Sequence, residues 1–153
     1  MRNLLFSFLC LACGAAYAAD VTPCLLKPAE LAPVLGHMPD EGHQDRDPFG
    51  VPMCVYDMKS ENGHRFLLLV HATPWDRKRY DQRVNLAEGG GQRQVKALPG
   101  IGDSAFFVEG VAGMLAGKRY VELNGLKNAA VRQVQADEAA ALLKLILERM
   151  PKT

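Results

Sequence analysis

The chain has 153 residues, of which 48% are hydrophobic and 23% are charged. This length suits a single domain, and this balance excludes a disordered chain, a collagen-like chain and a coiled coil as descriptions of the whole protein. The 18 basic and 17 acidic residues nearly cancel, so the net charge does not indicate a nucleic-acid partner.

The first 19 residues have the pattern of a secretory signal peptide. Arg2 precedes a short apolar run over 4–11, and the sequence Ala-Tyr-Ala at 16–18 is typical of a cleavage site. The apolar run is too short to span a bilayer, and we predict no transmembrane segment. We therefore expect residues 1–19 to be removed and residues 20–153 to form a single α+β domain, in the periplasm or outside the cell.

Removal of the signal peptide changes the cysteine count. Cys10 and Cys13 leave with the signal peptide, so the mature chain keeps Cys24 and Cys54. An even number of cysteines in an exported chain predicts a disulfide bond between these two. Closing the loop between residues 24 and 54 stabilises a protein by about 3–4 kcal/mol in the chain-entropy description. For the location of the mature chain, the alternative to a periplasmic or secreted protein is a protein anchored by a lipid at Cys13, because small residues surround this thiol.

The first half of the mature chain predicts one helix and two strands. The helix is expected over 27–36, where Pro28 suits the first turn and Gly36 suits the C-terminal cap. A polar loop is expected over 37–50. Strands are expected over 51–58 and 64–72.

The second half alternates in the same way. A second helix is expected from Thr73, as N-cap, to about Ala87, and three glycines follow it. The clearest helix covers 137–150, where apolar residues recur at helical spacing. Further strands are expected over 92–98, 104–109, 111–116 and 118–123.

These elements predict an α+β fold with an antiparallel sheet of about five strands. The apolar stripe of the last helix must cover one face of the sheet. We expect the N-terminal, middle and C-terminal helices to lie on that one face, with one disulfide. The centre of the strand over 64–72 is apolar on both faces, so the opposite face then needs a partner, a second copy or a ligand.

Four features together resemble a known group of proteins. They are Cys24, the helix end Val34-Leu35-Gly36, the strand residues Cys54-Val55-Tyr56, and the run from Leu98 to Phe107. The chain resembles the small exported bacterial proteins and lipoproteins of unknown function that have a half-saddle α+β fold. The resemblance spans roughly residues 24–150 and implies the fold. It carries no agreed catalytic residues, so none are transferred to this chain.

The sequence Gly102-Asp103-Ser104 raises the hypothesis of a serine hydrolase. That chemistry needs a general base beside the serine, which hydrolases with this motif carry downstream of it. No histidine follows His71, and the residues after Ser104 are typical of a strand and not of a helix. We interpret the motif as a turn and predict no catalytic residue and no enzyme.

The polar loop offers side chains that can bind metals. Imidazoles and carboxylates suit zinc or a similar ion. The spacing of His37 and His43 is not that of a structural zinc site, so we interpret the segment as a solvated loop and predict no metal and no cofactor. The side chains concerned are His37, Asp40, Glu41, His43, Asp45 and Asp47.

The second helix is basic near its start and carries two aromatic residues. In an exported protein such a helix meets anionic lipid heads, lipopolysaccharide or an acidic protein, and not nucleic acid. One set of alternate residues on the strand over 64–72 must also point away from the helices. We therefore predict the partner-binding residues Phe66, Leu68, Val70, Trp75, Arg77 and Tyr80.

The predicted function is that of a non-enzymatic exported envelope protein that binds an envelope or secreted protein, as an inhibitor or immunity-type module. A homodimer is a further prediction for the open face. The alternative is a carrier of a small molecule or lipid, or a minor enzyme, that uses this face as the floor of a pocket. A broad apolar face favours the binding module, whereas a closed, polar-lined cavity favours the alternative.

Overall fold

The computed structural model describes residues 24–58, 65–71, 74–129 and 133–150, and for 65–71 and 128–129 it describes the backbone. The predicted signal peptide over 1–19 and the alternative lipid site at Cys13 lie outside the described residues. Across the described ranges, no helix combines the length and the apolar character needed to cross a bilayer.

Within the described ranges, seven strands form one antiparallel sheet. They are β1 (His43–Arg46), β2 (Pro52–Asp57), β3 (Arg65–His71), β4 (Lys96–Ala97), β5 (Ser104–Val108), β6 (Val111–Ala116) and β7 (Arg119–Asn124). Their order in the sheet is β1-β2-β3-β7-β6-β5-β4. Two meanders therefore meet at the central pairing of β3 with β7, where Leu68 lies opposite Leu123.

Four helices belong to the described residues. They are α1 (Pro28–Leu35), α2 (Arg77–Glu88), α3 (Leu126–Ala129) and α4 (Ala136–Arg149). Gly36 ends α1 with a left-handed backbone, at φ 84°. The predicted cap of α2 at Thr73 is wrong, because the Asp76 carboxylate accepts a hydrogen bond from Arg79 N at 2.8 Å and the helix begins after it.

The main core lies on one face of the sheet, under α1 and α4. Leu31 and Leu35 of α1 are fully buried there, as are Leu143 and Ile146 of α4. The strand residues that face them include Cys54, Tyr56, Met114, Val121 and Leu123. The apolar stripe predicted for the last helix is thus confirmed as its core-facing side.

The prediction that all three helices cover one face is wrong for the middle helix. On β5, Ala105 and Phe107 belong to the main core, whereas Phe106 and Val108 point the other way. Tyr80 of α2 packs with these two residues in a second apolar cluster on the opposite face. The physical reason is that β5 is apolar on both sides, so each face needs its own cover.

The sheet also has seven strands and not about five. The additional strand β1 lies inside the predicted loop 37–50, and all four of its residues are exposed. An edge strand of this kind has no apolar alternation, so periodicity does not reveal it. The strand predicted over 92–98 shortens to β4, which has two residues.

The predicted disulfide bond between Cys24 and Cys54 is confirmed, with Cα atoms 4.9 Å apart. It attaches the N-terminal arm to β2, whose Cys54 is completely buried. The bond indicates a non-reducing compartment, because thiols are kept reduced in the cytosol.

Candidate functional site

Residues 37–50, called the edge segment below, form the outer border of the sheet. Asp40 N donates a hydrogen bond to Asp57 O at 2.9 Å, which places the start of the segment beside the end of β2. The segment then runs back along β2 as β1, the first strand of the sheet order. One side of β1 therefore pairs with β2, and the other side is a sheet edge.

The turn at the end of this hairpin is held by the Asp47 side chain. Asp47 Oδ1 accepts hydrogen bonds from Phe49 N at 2.9 Å and from Val51 N at 2.7 Å. Gly50 N donates to Asp47 O at 2.9 Å, and Arg46 Nη1 donates to Gly50 O at 2.9 Å. An aspartate that bonds its following amides is a strong turn former, so the backbone of this turn is well fixed.

The fixed turn exposes an aromatic ring. The Phe49 residue is 92% exposed, and Met38 at the other end of the edge segment is 54% exposed. Among residues with described side chains, Leu86 on α2 is the remaining large hydrophobic residue with comparable exposure. Two of these three therefore flank one edge strand, which distinguishes the edge segment from the rest of the described surface.

The edge segment passes close to the disulfide bond at Gly42. A methyl group at Gly42 would lie 2.5 Å from Cys54 Sγ and 2.6 Å from Tyr56 Cε1, so only glycine lets the backbone pass this closely. Tyr56 donates its hydroxyl hydrogen to Leu26 O at 2.7 Å. Burial raises the pKa of Tyr56 to about 12, so the hydroxyl remains a donor at neutral pH.

An open groove of about 660 Å³ lies between the start of α1 and the first residues of the edge segment. Its walls are Lys27, Pro28, Ala29, Met38, Pro39, Asp40 and Glu41. The groove is mostly apolar, and its walls also include charged residues. The metal-binding residues considered for this segment are not brought together, because no three such side chains among the described residues are grouped to hold an ion.

Two of the predicted partner-binding residues lie in the interior. Trp75 is 8% exposed and Tyr80 is 4% exposed. The Trp75 ring stacks on Tyr120 with centroids 4.0 Å apart. Arg77 is exposed, and it donates to Asp81 Oδ1 at 2.8 Å and to Ser104 Oγ at 2.7 Å.

The other three predicted residues belong to β3, whose side chains lie outside the description. The pairing register nevertheless places their positions. Phe66 lies opposite Tyr56, and Leu68 lies opposite Cys54. Val70 lies opposite Val121. Because directly paired residues share a face, positions 66, 68 and 70 lie on the main-core face and positions 67, 69 and 71 on the opposite one. Partner binding by these six residues stays a prediction.

The motif Gly102-Asp103-Ser104 forms a hydrogen-bonded turn. Asp103 Oδ2 accepts from Gly117 N at 2.6 Å, and Ser104 Oγ donates to Asp103 O at 2.7 Å. The Gly102 φ angle of 55° favours glycine at that position. The Ser104 oxygen thus connects this turn to the guanidinium of Arg77.

Sequence reasoning missed a buried ionic group on the α2 side of the sheet. Glu122 is 4% exposed and is the buried charged residue among the described side chains. Arg83 donates to both of its carboxylate oxygens, and Tyr120 donates to Oε2 at 2.7 Å. Burial raises the pKa of Tyr120, and the Glu122 charge raises it further. The sequence signal that could have revealed this ionic group is Glu122 itself, a single acidic residue inside the buried strand β7.

Comparison with protein-family models, with curated proteins and with solved structures gave no match to this chain. The candidate site is therefore defined by geometry within the chain. The edge segment combines a fixed backbone with exposed apolar side chains, whereas Glu122 and the Asp103 turn bond partners within the chain.

Proposed function

We propose that the protein is a non-enzymatic exported envelope protein that binds a protein partner, in the manner of an inhibitor or immunity-type module. The observation that most supports this function is the exposure of Phe49 on a turn fixed by Asp47. Aromatic side chains contribute much of the binding energy of protein interfaces. A fixed backbone lowers the entropy that is lost on binding.

The compartment is part of the same proposal. The disulfide bond agrees with a periplasmic or extracellular location. The signal-like sequence over 1–19 and the resemblance to small exported bacterial proteins support the same location. Attachment to the membrane through a lipid at Cys13 is the alternative form of the mature protein.

A second candidate function is that of a carrier for a small molecule or lipid. The groove of about 660 Å³ beside α1 favours it, because this volume falls in the range of ligand pockets. Pro28, Ala29 and Met38 give the groove apolar walls. The protein-binding function is preferred because the groove is open, whereas Phe49 projects away from the protein's own surface.

The test is retention of envelope proteins by the immobilised mature chain. We expect the native protein and a Leu86→Ala control to retain the same partner, and Phe49→Ala to lose it. All three proteins should have the same melting temperature, because both side chains are exposed. Equal retention by all three proteins, or retention by none, contradicts the proposal. Binding of lipid extract, abolished by Met38→Glu, would favour the carrier.

A further inference from the structure

We propose that the hairpin turn inserts Phe49 into a concave apolar cleft on the partner protein, and that the partner does not add a strand to β1. This inference rests on the proposed function and specifies how the partner is recognised. It also specifies the partner's chemistry, namely a cleft with an apolar floor for one phenyl ring and a polar rim.

The first argument is that the turn projects clear of the rest of the protein. A methyl group placed on Gly50 meets no atom within 4 Å. Pro48, Phe49 and Gly50 are all exposed. The N–H groups of Phe49, Gly50 and Val51 all donate to Asp47, so these donors of the turn are used within the hairpin. A projecting, fixed aromatic side chain fits a cleft better than a flat surface.

The second argument is that the edge of β1 is protected against strand addition. Asp47 N donates to Val51 O at 3.0 Å, so the backbone N–H of residue 47 points towards β2. Because hydrogen bonding alternates along an antiparallel pair, the backbone N–H and C=O groups of residues 45 and 43 also point towards β2. Those of residues 44 and 46 point outward, to the free edge. The Asp45 carboxylate already accepts the outward Arg46 N–H at 2.8 Å. The strand has four residues and includes charges of both signs, which further disfavours pairing.

The third argument concerns charge around the ring. The Asp47 carboxylate is used by the turn, and the Arg46 guanidinium bonds Gly50 O beneath it. Both of these charged groups are thus engaged in hydrogen bonds within the hairpin. A cleft that accepts the turn needs hydrogen-bonding groups at its rim and no strong charge at its floor.

The experiment places a photoreactive benzoylphenylalanine at single positions of the full-length chain, expressed and exported in bacteria. The positions are Phe49 at the turn, Gln44 on the edge and Leu86 on α2. We expect a light-dependent adduct from position 49 and none from position 86. Mass spectrometry of the adduct should place the attachment on residues that line a cleft of the partner.

Competition with purified protein measures how much the Phe49 ring and the edge of β1 each contribute to partner binding. Excess native protein should suppress the adduct, and Phe49→Ala should need at least about 30-fold more protein for the same suppression. Gln44→Pro is the matched edge variant, because it removes an outward N–H that β2 does not use. We expect Gln44→Pro to compete as the native protein does. Thermal melts of both variants confirm that they are folded.

The outcomes separate this inference from the proposed function. If Gln44→Pro fails to compete and Phe49→Ala competes normally, the partner adds a strand, and the insertion mode is wrong while protein binding holds. An adduct with a second copy of this chain also overturns the insertion into a foreign cleft. If no position forms an adduct with a protein, both the inference and the proposed function fail.

Discussion

Arg83 of α2 binds both carboxylate oxygens of Glu122 on β7, with Nε and Nη2 each 2.7 Å from an oxygen. This pair connects the middle helix to the face of the sheet opposite the main core. Burial lowers the pKa of Arg83, and the hydrogen bonds and charge of Glu122 outweigh this, so the net pKa is raised. The Arg83 guanidinium therefore keeps its positive charge beside the Glu122 carboxylate.

Breaking this pair should destabilise the protein. Glu122→Gln leaves the Arg83 guanidinium, which is 24% exposed, without a counter-charge. We expect a loss of about 3 kcal/mol in the free energy of unfolding, measured by urea denaturation. The double variant Arg83→Met/Glu122→Leu should recover part of that loss, because an apolar pair of similar size avoids the desolvation of charges. Recovery should be incomplete because the Tyr120 hydroxyl loses Glu122 as its acceptor. A double variant as unstable as Glu122→Gln would contradict this account.

Gly113 leaves room for two rings of the second apolar cluster, which lies on the same face as Arg83 and Glu122. A methyl group there would lie 2.6 Å from Phe106 Cε1 and 2.6 Å from the Tyr120 hydroxyl oxygen. Gly113→Ala should therefore displace both rings and cost about 1–3 kcal/mol. The near-ultraviolet circular dichroism of the aromatic cluster should change with it. Gly90→Ala is a control for the aromatic signal alone. Its φ angle of 69° disfavours alanine and should itself cost stability, but nothing lies within 4 Å of that position, so the aromatic signal should stay intact.

The sequence could predict those features that depend on counting and spacing. The disulfide bond follows from two remaining cysteines, and the last helix, predicted over 137–150, is observed over Ala136–Arg149. Their signals are local or depend on composition. The α+β class and the antiparallel sheet could be predicted for the same reason.

The features that were not predicted correctly depend on tertiary contacts. Phe106 and Val108 decide which face α2 covers, because both pack against it. The sequence of β5 predicts that these residues are apolar and share a face, but it does not predict which helix packs on that face. The edge strand β1 has no apolar residue, so its pairing with β2 is invisible in the sequence. The exposure of Phe49 depends on how Asp47 folds the turn, and its position inside a polar loop gave no signal.

The disulfide bond should contribute strongly to stability. Cys54→Ala should lower the free energy of unfolding by about 2–5 kcal/mol, because the unfolded chain regains the freedom of the 24–54 loop. The double variant Cys24→Ala/Cys54→Ala controls for a reactive lone thiol and should be similarly destabilised. Thiol titration of the unreduced mature protein should detect no free thiol. Two free thiols in the folded protein would contradict the bond.

The ion pair between Glu30 and Arg149 predicts a pH dependence of stability. Arg149 donates to both Glu30 oxygens and to Leu25 O, so it connects α4 to α1 and to the N-terminal arm. The hydrogen bonds from Arg149 lower the pKa of Glu30 from 4.5 to about 2. A carboxyl group with a lowered pKa in the folded state stabilises that state when it is ionised.

The sign and the pH window follow from that shift. The contribution of Glu30 is present above pH 4.5 and is lost as the pH falls from 4.5 towards 2. The Glu30→Gln variant should therefore be less stable than the native protein at pH 7, by about 1 kcal/mol because solvent screens the partly exposed pair. This difference should shrink in urea denaturation at pH 3. Arg149→Met should show the same convergence, since it removes the other partner. If either variant differs from the native protein by the same amount at both pH values, the ion pair is not the source of the stability.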